Sequence, residues 1–265
     1  MITKIIYCTL FLTVFSASLH AVPSYLWYAT HSIEDYSVNG SCGWLDPMKP
    51  HDEADGFAAA VQGHNITNSW LRYNRRDSEC TAFRWSGTSA ETNNVDFLFY
   101  SGHGWGDGPY LGCNGAYLIT CWIDIQFGGS GYLKWVQASA CEWFVDEMYD
   151  RAGSGLNEHE RWGPAFKGVH AVQGHRAATY DHNYSNEISD EFWDRWVDNG
   201  ESLYWSWRQA QIHWIYTVTG YPGLQPATGA ANSTYGYETW AAAGNEMAPD
   251  GMGWLGWATV GDPDY

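Results

Sequence analysis

A histidine and a cysteine each follow an apolar run, and together they have the side chains for thiol chemistry. The run at residues 95–100 breaks into Ser-Gly-His-Gly, which places an imidazole at His103. A second run, at residues 132–138, ends in Ser-Ala-Cys, which places a thiol at Cys141. The thiolate is the reactive form of cysteine, and a nearby imidazolium lowers a thiol pKa from about 8.5 into the range of about 3.5–7.5. The pair predicts nucleophilic attack by Cys141 with acid–base help from His103.

Both runs have the pattern of short buried strands, with about six apolar, aromatic or β-branched residues bounded by glycines. If the two strands are parallel, their carboxyl ends emerge at the same sheet edge, where open α/β sheets bind ligands. The 38 positions from His103 to Cys141 are enough for a parallel crossover. They contain no clear amphipathic helix, however, and residues 117–127 could form a hairpin instead, so both arrangements stay open at this point.

The sequences FYSGHG at residues 99–104 and VQASAC at residues 136–141 resemble the caspase-like (clan CD) cysteine peptidases. That group includes caspases, legumains and gingipains, and its signature is one hydrophobic strand ending in His-Gly and a later one ending in Ala-Cys or Gly-Cys. The resemblance covers residues 95–143 and is closest to a secreted branch of the group. It implies an α/β fold, a three-layer caspase-like sandwich with a mostly parallel central sheet and helices on both faces.

The resemblance also implies roles for individual residues. Cys141 is the expected nucleophile and His103 the acid–base partner, in a dyad that needs no third member. The backbone N–H groups of Gly104 and Cys141 are expected to hold the oxyanion, and a glycine suits this place because a side chain would crowd the substrate carbonyl. The competing interpretation is a buried, inert cysteine and a histidine bonded within a turn.

Two further residues are candidates for substrate binding. Glu142 follows the thiol directly, and His175 follows the third predicted strand, although a structural histidine is the alternative there. Caspases have Arg-Gly or Gln-Gly after the cysteine, whereas this chain has Glu142-Trp143, so aspartate specificity is not expected. A helix over residues 142–151 is predicted behind Cys141, where its N-terminus would favour the thiolate.

The remaining elements are predicted from local patterns. Strands are expected at residues 25–29, more weakly at 82–85, and at 166–173. Helices are expected at residues 52–62, 190–199 and 201–216. The glycine- and tryptophan-rich stretch from residue 220 onward is expected to form strands and loops that cover the sheet or its edge.

The amino terminus has the composition of a secretory signal peptide. Lys4 precedes an apolar run at residues 5–15, which is followed by small residues up to Ala21. We therefore expect a signal peptide at residues 1–21 and a single caspase-like domain at residues 22–265. The mature protein would be secreted or periplasmic and would not span a membrane.

Five cysteines follow the expected signal peptide, and this odd number leaves one thiol outside a disulfide. With Cys141 as that thiol, the economical pairing joins Cys42 to Cys80 and Cys113 to Cys121. Each bridge would contribute roughly 3–4 kcal/mol. Connectivity does not follow from sequence, so this pairing is a hypothesis.

The formal net charge is −17, which disfavours nucleic acid as a partner. No phosphate-binding loop, His-Glu-x-x-His or Cys-x-x-Cys motif is present, and no cofactor is expected. A structural calcium ion at residues 181–185 is a weak alternative, because that stretch lacks the glycine and terminal acid of a calcium loop. The leading hypothesis is a secreted cysteine endopeptidase acting on peptides or proteins. The alternative is a non-catalytic protein on the same fold, whose 17 tryptophans and 18 tyrosines bind carbohydrate or peptide.

Overall fold

The computed structural model describes residues 25–40, 42, 45, 48–64, 66, 68–114, 119–121, 123–145, 155–179, 185–218, 220 and 223–260. The expected signal peptide and residues 181–184 of the weak calcium stretch at 181–185 lie outside these residues, and residue 185 begins a helix. Among the described residues, no helix is long and apolar enough to cross a membrane.

The centre of the fold is a mostly parallel β-sheet. In chain order the described strands are β1 (Leu26–Ser32), β2 (Ser69–Arg76), β3 (Phe97–Ser101), β4 (Gly104–Trp105), β5 (Gly108–Pro109), β6 (Trp135–Ser139), β7 (Ala171–His175), β8 (Pro226–Ala230) and β9 (Trp254–Trp257). Seven of them form one sheet in the order β2-β1-β3-β6-β7-β8-β9, and β4 and β5 form a separate small hairpin. The first five sheet strands are parallel, whereas β8 and β9 are antiparallel to their neighbours.

This arrangement confirms the predicted mixed α/β fold and the parallel pairing of β3 with β6. Every residue of β3 is buried, because both faces of the central strands are covered, which explains the unbroken apolar run. The alternative hairpin at residues 117–127 is not formed in its described part. There, Ile125 and Phe127 make only isolated bridges to Ser86 and Phe166.

The long helices share one face of the sheet. The described α-helices are α1 (Pro50–Gly63), α2 (Glu158–Trp162), α3 (Ser185–Trp193), α4 (Leu203–Gln211) and α5 (Ser233–Gly236). Helices α1, α3 and α4 pack an aromatic core against the sheet, in which Phe57 stacks on Phe99 at 4.5 Å between ring centroids. Full burial of one such side chain stabilises the fold by about 1.5–3 kcal/mol.

The opposite face is covered by short elements and loops. Its core contains Trp85, Trp143 and Trp162, of which only Trp162 belongs to an α-helix. The weak strand predicted at residues 82–85 is wrong: Ala82–Arg84 is a 3-10 helix. It places the Trp85 indole in the core, where Nε1 donates to His31 Nδ1 at 3.1 Å, so the apolar pattern there reflects burial and not strand pairing.

Apart from the helix expected at residues 142–151, the other predicted elements are present with shifted ends. The third strand is shorter than predicted and covers Ala171–His175. Helix α3 begins five residues before the predicted start, and both α3 and α4 continue into π-helical turns at Asp194–Asp198 and Ile212–Val218. Aromatic residues point to several sides of these segments, which obscured the helical period in the sequence.

The predicted disulfide pairing is wrong. Cys42 is bonded to Cys113, with 5.6 Å between the Cα atoms, a normal separation for a bridge. Cys80 and Cys121 carry thiols and are fully buried. Cys80 lies under the sheet edge, where its Sγ is 3.4 Å from the Arg75 carbonyl oxygen. Pairing by closeness in the sequence failed because the loops carrying Cys42 and Cys113 meet only through the tertiary fold.

Candidate active site

His103 lies on the loop that leaves the carboxyl end of β3. The β4–β5 hairpin starts directly after it, and the Tyr110 N–H closes the loop by donating to the His103 carbonyl at 2.9 Å. The Tyr100 hydroxyl donates to the same carbonyl at 2.8 Å. The His103 side chain is half-buried. Its backbone is therefore fixed while the residue stays partly accessible to solvent.

Tyr36 is a second support of His103 that the sequence did not reveal. Its hydroxyl accepts the His103 backbone N–H at 2.7 Å, and its ring lies 5.1 Å from the imidazole between centroids. Burial raises the pKa of the Tyr36 phenol, so the ring stays neutral. The Tyr36 carbonyl accepts the Cys42 N–H, next to the disulfide to Cys113. The bridge thus staples the loop that carries this support.

A hydrogen-bonded chain fixes the start of the Tyr36 loop. Ser32 Oγ lies 3.0 Å from His51 Nδ1, and His51 Nε2 lies 3.0 Å from Asp77 Oδ2. Asp77 also accepts the backbone N–H groups of residues 34–35. The order of residues is that of a hydrolase triad, but Ser32 is fully buried and cannot meet a substrate. The chain positions the loop that carries Tyr36.

Cys141 lies two residues beyond the end of β6 and is half-buried. The Thr179 backbone N–H donates to its Sγ at 3.3 Å. The predicted helix does not begin here: residues 141–144 form a turn, and 146–151 lie outside the described residues. Glu142 has a left-handed backbone (φ 56°), and its N–H donates to the Ala177 carbonyl at 3.1 Å. A helix dipole starting at residue 142 therefore does not act on the thiol.

The strand register brings the His103 and Cys141 loops side by side. Ser101 of β3 pairs with Ser139 of β6, so His103 and Cys141 are each two residues past the same paired position. The loops touch at Gly104, where an added Cβ would lie 2.6 Å from the Cys141 carbonyl oxygen.

Trp143 forms the floor beneath these loops and was also missed by the sequence reasoning. It is fully buried, and its ring stacks on Tyr100 and Trp162. A Cβ at Gly104 would lie 2.7 Å from its indole nitrogen. Only glycine fits between the indole and the Cys141 loop. The aromatic residue after Glu142 was a signal for such a floor, but the sequence did not say which loop it supports.

A cavity of about 330 Å³ opens beside Cys141. Its lining residues come from both sides of the thiol loop and from the carboxyl-terminal strands: Glu142, Val145, Arg176, Ala177, Ala178, Gln225 and Trp257. Arg176 lies 3.6 Å from Glu158 and stacks on Trp257 at 4.1 Å. Glu142 is the acidic side chain of the lining, and Arg176 is the basic one. Glu142 lines this cavity, and its contact with substrate stays a prediction.

His175 does not border this cavity, and its predicted contact with substrate is wrong. It is the last residue of β7 and is 1% exposed. Its Nδ1 lies 3.1 Å from the Ala140 carbonyl and its Nε2 lies 3.1 Å from Gln211 Oε1. Burial lowers the pKa of the His175 imidazole. The residue supports the strand end before Cys141, as in the structural alternative.

One group of side chains has the composition of a metal site. His64, Asp194 and Asp198 have ligand atoms within 4.8 Å of one another. His64 Nδ1 lies 2.6 Å from Asp198, and its Nε2 lies 3.2 Å from Asp190. Because the imidazole already bonds two carboxylates, the group is satisfied as an ion-pair network. It belongs to the helical face and is separate from the Cys141 loop.

Comparisons with known proteins place the chain in a family without adding an activity. The comparison with curated proteins found no match. Among solved structures, the chain is similar to one described as the Arg-specific cysteine proteinase gingipain R, with a TM-score of 0.45 and 11% identity. The similarity covers 86% of this chain, which spans only 47% of that structure. A family model described as a domain of unknown function, DUF6345, matches residues 32–250, and the chain therefore belongs to the DUF6345 family.

Proposed function

We propose that the protein is an exported cysteine endopeptidase in which Cys141 and His103 form the catalytic dyad. The observation that carries this proposal is the shared register: both residues follow paired strand ends by two positions and are half-buried. The thiols of Cys80 and Cys121 are fully buried. Cys141 is thus the accessible thiol among the described cysteines.

The chemistry proceeds in two steps. The Cys141 thiolate attacks the scissile carbonyl carbon, and the C–N bond breaks as the imidazolium of His103 gives its proton to the leaving amine. Water then attacks the thioester, His103 takes its proton, and the acid product leaves with the thiolate restored. The backbone N–H groups of Gly104 and Cys141 stabilise the negative oxygen in each step.

Activation of the thiol rests on His103 in this proposal, because the expected helix at residue 142 is absent. The imidazole is steadied through its backbone and by the Tyr36 ring. The left-handed conformation of Glu142 supports a functional role for this turn, since strained backbone clusters at active sites. It turns the chain directly after the thiol, towards the cavity.

The cavity beside Cys141 is the proposed site for the side chain that precedes the scissile bond. Among the described residues, the lining carries Glu142 and Arg176, and Glu158 lies 3.6 Å from that guanidinium, so two carboxylates face one basic side chain. Basic side chains are therefore favoured over acidic ones. Glu142→Gln is expected to reduce the preference for basic over acidic side chains before the scissile bond, while turnover of neutral peptides is unchanged.

A peptide library that contains every residue before the scissile bond tests the proposal. Wild-type protein is expected to cleave it, and Cys141→Ala is not. An electrophilic peptide analogue provides a second readout, with covalent labelling of Cys141 expected. Unchanged turnover in Cys141→Ala, or no turnover and no labelling in the wild type, would reject the peptidase.

Export is part of the proposal and has its own support. The Cys42–Cys113 disulfide is typical of oxidising compartments, and the amino terminus has the composition of a signal peptide. The mature chain is expected to begin near Val22. Amino-terminal sequencing of protein recovered outside the cytoplasm checks this, and recovery of an intact residue 1 contradicts it.

A further inference from the structure

An aromatic cleft lies at the amino end of the sheet, away from the candidate dyad. Trp27 of β1 pairs in register with Trp70 of β2, so both rings project from the same sheet face. Tyr25 and Arg72 complete the group with Asn68, around a cavity of about 660 Å³. Tyr25, Trp27 and Trp70 are 48%, 39% and 51% exposed.

The cleft exists because the loop covering this face protects only the later part of β1. Trp85 packs on His31, four residues beyond Trp27, whereas Leu26 and Tyr28 point to the helical side and are fully buried. Strand β1 rises about 3.3 Å per residue, so the cleft and the dyad lie near opposite ends of the strands. The two sites are therefore independent surfaces.

Arg72 gives the cleft its charge. Its guanidinium carbon lies 4.5 Å from the centroid of Trp27, and Nη1 donates to the Asn94 carbonyl at 2.6 Å. Among the described residues, Arg72 forms no ion pair, although acidic residues outnumber basic ones by 30 to 13 in the chain. A positioned guanidinium without a carboxylate partner suits an anionic ligand.

These features together point to the chemistry of the ligand. Exposed indole faces stack on the C–H faces of sugar rings, because the negative face of the ring attracts weakly positive hydrogens. A guanidinium binds a carboxylate through two parallel hydrogen bonds. An extended peptide would gain its main-chain hydrogen bonds along the outer edge of β2, whereas the indoles of this cleft project from the sheet face and offer rings to stack on. We propose that this cleft binds acidic oligosaccharides, with a uronate ring on Trp70 and its carboxylate on Arg72.

Oligogalacturonate and a neutral oligogalactose of equal length are the probes, titrated into the purified full-length protein. Tryptophan fluorescence and calorimetry are expected to show at least tenfold tighter binding of the acidic sugar. Trp70→Ala is expected to weaken it at least tenfold, and Arg72→Gln to remove the preference for the acidic sugar. Both side chains are exposed, so the variants keep the fold, which circular dichroism verifies.

A second Trp–Arg pair, with an exposed indole, provides the matched control. Arg208 stacks on Trp205 at 4.8 Å, and Trp205→Ala is expected to leave sugar binding unchanged. Absence of binding to either sugar overturns the proposal, as does equal binding of the two by wild type. Equal loss in Trp205→Ala, or equally tight binding of oligoglutamate, also overturns it, because the cleft would then be unspecific or would select charge alone.

Discussion

Two Gly-His pairs lie at the carboxyl edge of the same sheet, and their histidines have opposite surroundings. His103 lies two residues past β3 on a half-exposed loop, whereas His175 is the last residue of β7 and is 1% exposed. The antiparallel strand β8 pairs with His175 through Pro226, and Trp207 of α4 packs 5.5 Å from its ring. The same dipeptide thus yields a candidate catalyst or a structural support, depending on its position relative to the strand end.

The thiols repeat this contrast. Cys141 follows the end of β6 and is half-buried, while Cys80 is fully buried. Burial raises the pKa of the Cys80 thiol, which keeps it protonated and unreactive. We therefore call the half-buried residues His103 and Cys141 open, and the buried residues His175 and Cys80 sealed.

Replacing the two cysteines gives the largest expected contrast. Cys141→Ala is expected to lower peptide hydrolysis by at least about 10³-fold, because the other thiols among the described residues, Cys80 and Cys121, are buried. Cys80→Ala is expected to retain activity and to lose about 1–2 kcal/mol of stability through the small cavity it creates. Hydrolysis rates and urea unfolding measure both. Equal activity of the two variants would remove the distinction between open and sealed thiols.

Replacing the two histidines separates catalysis from support. His103→Ala is expected to lower kcat by about 10²–10⁴-fold, the usual contribution of a general acid–base group. His175→Gln is expected to lower the melting temperature while changing kcat by only a few-fold, since its contacts are with Ala140 and Gln211. A larger loss of kcat in His175→Gln than in His103→Ala would reverse the assignment.

Substitution of a glycine tests the close approach of the loops that carry His103 and Cys141. Gly104→Ala is expected to lower activity by about 10²-fold, comparable to the loss of one oxyanion donor, because its Cβ would meet Cys141 and the Trp143 indole within 2.7 Å. Gly163→Ala has no atom within 4 Å of its added Cβ and serves as the control. Full activity in Gly104→Ala would show that the loops do not need this contact.

The buried histidines His31 and His175 predict that the stability of the fold depends on pH. Burial lowers the pKa of His31 to about 3 and also lowers that of His175. Below about pH 6.5 these histidines bind protons in the unfolded chain but stay neutral in the folded protein. Their contribution to the free energy of unfolding is therefore complete above that pH and is lost as the pH falls. Each histidine contributes a slope of up to about 1.4 kcal/mol per pH unit.

Urea unfolding at pH 7 and pH 4.5 measures that slope. His175→Gln is expected to reduce it. The same free energy of unfolding at both pH values in the wild type would show that the buried histidines do not stay neutral.

Much of the sheet was predictable, because β3 and β6 are short apolar runs, with Gly102 directly after β3 and Gly131 shortly before β6. Their parallel order was predictable only through the length of the crossover and the family resemblance. The turn at residues 141–144 was not predictable, because the helical pattern there is overruled by the hydrogen bond from the Glu142 N–H to the Ala177 carbonyl. Tyr36 and the Cys42–Cys113 bridge depend on contacts between residues 64 to 71 positions apart, which no local pattern encodes.

The most direct test of the dyad is alkylation of the native protein with iodoacetamide near neutral pH, mapped by mass spectrometry. If His103 activates the thiol, Cys141 is modified first, Cys80 and Cys121 react only after unfolding in urea, and His103→Ala slows modification of Cys141 at least tenfold. Modification of Cys80 before Cys141, or an unchanged rate at Cys141 in His103→Ala, would contradict that activation.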